Sequence, residues 1–193
     1  STGLPATGSH PDSDKKGTLA NRASEEVRAK WRAAGEATKR LRALFPEVTG
    51  KHDDRFRWTD DLDRLANLPS RNDSYIAVVH ADGNGMGRRI RALNLGWGER
   101  PQQTREYVVE MRRLSSSIAQ TSTEALAATI NALVKRLLTR EGSEQLNAPW
   151  FPFRPIVFGG DDVAWVCAGP WGVSLAHRYL TELEKQTIGD WVP

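Results

Sequence analysis

Three aspartates set among glycines are the residues whose type and spacing best suit chemistry. Asp82 stands in HADGNGMG (residues 80–87), and Asp161 and Asp162 stand side by side in FGGDDV (158–163). Carboxylates from neighbouring strands are what Mg²⁺ asks of a protein: a few hard oxygen ligands, with the remaining positions left to water and phosphate oxygens. Two such ions would clamp a nucleoside triphosphate and activate a ribose hydroxyl for attack on the α-phosphate. The glycines have work in the same picture. Gly159 and Gly160 permit a tight turn and close approach of a ligand to the backbone. Gly83, Gly85 and Gly87 expose amides ahead of a helix N-terminus, a cradle for phosphates. Arg88, Arg89 and Arg91 follow directly and would neutralise phosphate charge.

Each stretch alone has a plainer reading. Gly and Asp are common turn residues, so GGDD by itself is an ordinary hairpin turn. DGNGMG by itself is a Gly-rich link from strand to helix; no Gly-Lys-Ser/Thr follows, so it is not a P-loop, and its spacing is not that of a dinucleotide fingerprint. The functional reading rests on both turns occurring in one chain, each after a buried-looking strand, with helices between them.

The elements that must position these residues follow from hydrophobic period. Tyr75 to Val79 is a β-branched run of strand length, and a short helix begins after the Gly-rich turn. Tyr107, Met111, Leu114, Ile118, Leu126, Ile130, Leu133 and Leu137 form an apolar stripe over about Thr104 to Thr139, as one helix or two. Ile156 to Phe158 and Val163 to Ala168 flank GGDD as a β-hairpin. PWGVSLAHRYLTELEKQ (170–186) is an amphipathic helix with Pro170 in its first turn. The order β-α-α-β-β-α predicts an α+β fold in which the first strand lies beside the hairpin. Asp82 and the aspartate pair then meet at one edge as a carboxylate cluster. Side chains alternate along a strand, so one of Asp161 and Asp162 points at Asp82 while the other faces away or, at a bent turn, reaches a second ion or acts as a base.

YIAVVHADGNGMGRRI followed by PFRPIVFGGDDVAWV resembles the palm domain, second-palm type, of the polymerase/cyclase-like large subunit of type III CRISPR effector complexes. More distantly it is similar to GGDEF and class III nucleotidyl cyclases. The likeness covers about residues 74–187. It implies a ferredoxin-like palm, with an antiparallel sheet and helices packed on one face, that binds Mg²⁺ or Mn²⁺ and joins nucleoside triphosphates, often ATP, into cyclic oligonucleotides used as antiviral signals. By the same resemblance Asp82 is the first-strand metal ligand, and Gly83 contributes a backbone carbonyl. Asp161 and Asp162 are the hairpin carboxylates, and Gly159 and Gly160 the turn that approaches the nucleotide, with Gly83, Asn84, Gly85, Gly87 and Arg88 beside it. Asn84 stands where many relatives have a second acid, which bears on a second metal. Related palms also continue into a further strand, so the chain reads as a fragment or as completed by another chain.

The rest of the sequence sets the frame. Residues 1–17 read as a flexible lead-in and 18–73 as an N-terminal helix plus connector, with 74–193 as the palm. The first helix spans about Thr18 to Leu44, with Val27, Trp31, Ala34, Ala37 and Leu41 at helical spacing and Ser24, Glu25 and Glu26 as start signals for its main part. LPATG (4–8) matches a cell-wall sorting pattern, but in the wrong position and context. The chain has 193 residues, 39% of them hydrophobic and 26% charged, an ordinary globular balance. A net charge of +3 is compatible with a nucleotide or nucleic-acid ligand without demonstrating one. One cysteine, Cys167, excludes an intrachain disulfide and, with no apolar run of membrane-spanning length, favours a cytoplasmic location.

The remaining candidates have plainer readings. His52, Asp53 and Asp54 lie on a polar stretch with no partner at ligand spacing. His80 shares the strand face of Asp82, which brings it near a phosphate, although a satisfied, partly buried histidine is the commoner case; His177 reads the same way. Trp97, Trp150, Phe151 and Phe153 are packing or interface residues, with base stacking as the other option. The expected partners are a nucleoside triphosphate, RNA or a defence-complex subunit, and a second copy of the chain. The alternative to an active enzyme is an inactive palm that binds nucleotide or RNA as a scaffold. An RNA-binding domain of similar topology is a third reading, but IAVVHADG and PIVFGGDD place no pair of stacking aromatics at strand spacing.

Overall fold

The computed structural model describes residues 8–9, 22–49, 56–66, 74–95, 101–139, 141 and 149–186. Most of the lead-in with LPATG, the His52–Asp53–Asp54 stretch, Trp97 and residues 187–193 lie outside them. The chain divides into two compact units, Ser1–Pro46 and Glu47–Pro193.

In the first unit β1 (Gly8–Ser9) pairs antiparallel with β2 (Arg22–Ala23), and α1 (Glu25–Leu44) follows. The helix starts where its cap dictates. Ser24 is extended, and its hydroxyl accepts from the Val27 amide at 3.4 Å, with Glu25 and Glu26 in the first turn opposing the helix dipole. Its main part therefore begins as expected, although Arg22 and Ala23, which the hydrophobic period assigns to the helix, pair as a strand. The ion pairs Glu26–Lys30 and Glu36–Lys39, both at 2.6 Å, are exposed and add little stability. A single turn, α2 (Pro46–Thr49), comes next in the chain.

The second unit contains α3 (Leu62–Ala66), β3 (Ile76–Ala81), α4 (Met86–Leu95), α5 (Pro101–Leu137), β4 (Phe153–Val157), β5 (Val163–Ala168), a 3₁₀ turn (Gly169–Trp171) and α6 (Gly172–Glu184). The three strands form one antiparallel sheet in the order β3-β5-β4, so the fold is α+β, as expected. α5 is one unbroken helix of 37 residues, about 55 Å long. After Pro101, which suits a first helical position, it contains neither proline nor glycine to interrupt it. β4 begins at Phe153, earlier than the apolar run suggests. Pro155 sits in it without penalty because β4 is an edge strand, and the register shifts by one residue between Pro155 and Val157.

Strand alternation builds the core. Phe153 on β4 and Val163, Trp165 and Cys167 on β5 are fully buried, whereas Val78 and Ile156 are exposed. Rings run through the interior in series: Phe56 and Trp58 against Phe151, Phe151 against Phe153, Phe153 against Trp165 at 5.6 Å, and Trp165 against Tyr179 of α6 at 5.4 Å. Residues 56–66, grouped with the connector by their polar composition, thus pack within the second unit; Arg154 also donates to the Thr59 carbonyl at 3.1 Å. α5 lies along α6, with Leu126, Ile130 and Leu137 buried, and α6 lies on β3. Gly172 lets that last approach happen, because a Cβ there would stand 2.4 Å from the Cβ of Ala77.

Candidate functional site

The β3–β5 register places the two acidic turns together. Ala81 pairs with Val163, and each step beyond that pair moves one residue along both strands in opposite directions. Continued past the strand ends, the register sets Asp82 across from Asp162 and Gly83 across from Asp161. The second juxtaposition is tight: a Cβ on Gly83 would lie 2.6 Å from the Asp161 Cβ. Only glycine fits there, which is a reason for Gly83 independent of any ligand.

Asp82, Gly83, Asn84, Gly160 and Asp161 line one cavity of about 280 Å³, near the lower end of the range for small-molecule sites. Its other walls come from helices. α4 contributes Met86 and Arg89, α5 contributes Ile118, Thr121 and Ser122, and α6 contributes Tyr179, Leu180, Leu183 and Glu184. The cavity is therefore acidic and backbone-rich on one side, while the helical side is mainly apolar with hydroxyls and adds one cation, Arg89, and one carboxylate, Glu184. Burial pushes the Tyr179 phenol up to about 12, so it stays a neutral hydroxyl. Thr121 and Ser122 are also buried, and the Ser122 hydroxyl donates to the Ala119 carbonyl at 3.2 Å.

Asp162 does not join them. It follows the parity of Ala164 and Val166, away from the buried Val163 and Trp165, and its Oδ1 lies 2.5 Å from His80 Nε2. A carboxylate only accepts, so the imidazole donates. The aspartates are thus divided: Asp161 stands across from Gly83 at the cavity, Asp162 lies beside His80 on the other face, and Asp82, past the end of β3 and across from Asp162, also lines the cavity. Among the described residues, no three His, Cys, Asp or Glu side chains are grouped to hold a metal ion.

The other sequence candidates spread out. Gly85 has φ of +77°, a left-handed bend that glycine favours, and its carbonyl accepts from the amides of Arg88 and Arg89 at 3.0 and 3.2 Å. Those two amides are spent on closing the first turn of α4 and are not part of a phosphate cradle. Gly87 is inside α4 rather than in the turn ahead of it. Gly159, with φ of +108°, and Gly160 make the hairpin turn, and only Gly160 reaches the cavity. The Arg88 guanidinium lies beside Gly85, 3.4 Å from a Cβ built there, and Arg89, one residue on, is the arginine that lines the cavity.

Sequence reasoning missed Thr121, Ser122, Leu180, Leu183 and Glu184 as site residues. Helical period alone marks Thr121 and Ser122 as neighbours of the Ile118–Leu126 stripe, but nothing local ties that stripe to the aspartates. It also missed the His80–Asp162 pair, for which the two-residue spacing of His80 and Asp82 was the available signal. No family model matches the chain, and no curated protein matches it significantly. Among the described residues, no helix is long and apolar enough to cross a membrane.

Proposed function

We propose that the second unit is a metal-dependent nucleotidyltransferase or cyclase palm that joins nucleoside triphosphates, ATP foremost, into a cyclic or short oligonucleotide serving as an antiviral signal. One observation carries the reading: Asp82 and Asp161, borne on the turns of two adjacent antiparallel strands, open into a single cavity beside glycine backbone. The strand order supports it, since first-third-second is the order of a ferredoxin-like sheet before its fourth strand is added.

The donors suit Mg²⁺ or Mn²⁺, because such an ion needs only one or two carboxylates when phosphate oxygens and water supply the rest. Asp82 and Asp161 would hold it with the Gly83 carbonyl. When bound, a divalent ion neutralises phosphate charge and lowers the pKa of an attacking hydroxyl. The chain's own groups do the remaining work. Arg89 offsets triphosphate charge, Gly83 and Gly160 let the phosphates approach the backbone, and the apolar wall of Met86, Ile118 and Leu183 excludes water from the base. Asp162 is assigned to the hairpin rather than to the ion.

A second reading, a palm that binds nucleotide or RNA without turnover, is favoured by Asn84 in place of an acid and by Asp162 being held by His80 rather than lining the cavity. Incubation with each nucleoside triphosphate and Mg²⁺ or Mn²⁺, followed by mass spectrometry, separates the two. Catalysis predicts a product that Asp161→Ala abolishes and Asp162→Ala reduces. Binding without product, measured by calorimetry, selects the scaffold, and neither product nor binding overturns both.

A further inference from the structure

We propose that His80 is a positioning residue: by holding Asp162 on the open face of the sheet, it fixes the GGDD turn so that Asp161 is presented to the cavity. The inference rests on the functional reading above for its consequence, but not for its geometry.

The turn between β4 and β5, residues 158–162, contains two adjacent glycines. Neither has packing to hold it, since a Cβ built on Gly159 or Gly160 would meet nothing within 4 Å. Glycine also loses more conformational freedom on ordering than any other residue, so an unsupported turn of this composition would sample many states. Contacts on both faces restrain it. On the cavity side Asp161 packs against Gly83. On the opposite side Asp162 meets His80 across the sheet, at the diagonal position where side chains of paired strands interact. Successive residues in extended chain point to opposite faces. Asp162 continues the alternation of β5 and Asp161 sits in the bend before it against Gly83, so holding Asp162 on one face steers Asp161 to the other, and the adjacent aspartates act as an anchor and a ligand rather than as two ligands. Both partners are more than half exposed, 60% and 52%, so either can be replaced without opening the core.

Hydrogen–deuterium exchange of the metal-free protein tests the clasp directly. His80→Ala should raise exchange in residues 158–162 about threefold to fivefold, the range open to an exposed pair, with β5 unchanged and the melting temperature nearly so. His80→Gln, which keeps a donor at about the same reach, should restore most of the protection. Titration with Mn²⁺ alone, read by calorimetry, then tests the consequence: His80→Ala should weaken binding by a similar factor, and adding Asp162→Asn to it should weaken binding no further. Unchanged exchange in His80→Ala overturns the clasp. Tighter Mn²⁺ binding in that variant also overturns it, because His80 would then be withholding Asp162 from the ion. A wild-type protein that takes up no Mn²⁺ removes the functional reading, while the exchange experiment still decides the clasp.

Discussion

At the scale of single residues, three glycines in the two acidic turns do different things, and substitution separates them. Gly83 faces Asp161 so closely that Gly83→Ala must displace one of them. We expect Mn²⁺ and nucleotide affinity to fall at least about tenfold, as a misplacement near 1 Å does to a positioned site, with a lower melting temperature from an overlap that costs about 1–3 kcal/mol; calorimetry beside thermal denaturation checks it. Gly159 has φ of +108°, so Gly159→Ala carries a strain of about 1–3 kcal/mol. Gly160 has neither a positive φ nor a neighbour within 4 Å of a built Cβ, so Gly160→Ala should stay within about 0.5 kcal/mol. Urea denaturation of the two variants should show that contrast. These are adjacent, identical residues in the sequence, and nothing local distinguishes them; their backbone angles come from the turn that the strand register closes.

At the scale of elements, the site depends on α6 lying on β3, since α6 supplies Tyr179 and Leu183 to the cavity. Gly172 is the contact that sets the distance, 2.4 Å from a built Cβ to that of Ala77. Gly172→Ala should therefore wedge the helix off the strand and destabilise the unit by about 1–3 kcal/mol, the usual cost of overpacking, seen as a lower melting temperature. It should also lower nucleotide affinity without touching either aspartate. The helices themselves were legible in the sequence. The stripe from Tyr107 to Leu137 shows the period of α5, and Ser24 marks where α1 starts. The N-terminal turn of α6 was legible only in part, because Gly169–Trp171 winds as a 3₁₀ turn before the α-helix begins.

At the scale of the whole unit, the ring series from Phe56 to Tyr179 ties sheet, helices and the 56–66 segment into one core, and that core has a titration. Burial raises the Cys167 thiol from 9.0 to about 12 and the Tyr179 phenol from 10.0 to about 12. Between these values the folded chain keeps protons that the unfolded chain has lost, so stability falls as pH rises. The contribution is complete below about pH 9 and lost through about pH 12. Urea midpoints measured from pH 8 to pH 11 should decline, and less steeply in Cys167→Ala, in which one of the two groups no longer titrates. The same burial leaves the thiol unreactive in the folded protein, so a thiol reagent at pH 8 should modify Cys167 only as fast as the chain unfolds.

What the amino-acid sequence determined by itself is local. The β-branched and apolar runs IAVVHA and VAWVCA make strands whose side chains alternate between two faces, the 3.6-residue stripe makes α5 and α6, and the glycines punctuate two acidic turns; each follows from neighbouring residues and backbone sterics. Even the division of Asp161 from Asp162 was implicit in that alternation, but not which of the two would face the cavity. That choice belongs to the tertiary structure. It depends on the β3–β5 register, which sets Gly83 across from Asp161 and brings His80 to Asp162, and on which face of the sheet α5 and α6 cover. Register and face are decided by burying Trp165, Phe153 and Tyr179 together, a preference summed over residues far apart in the chain, and so carried by no single stretch of it.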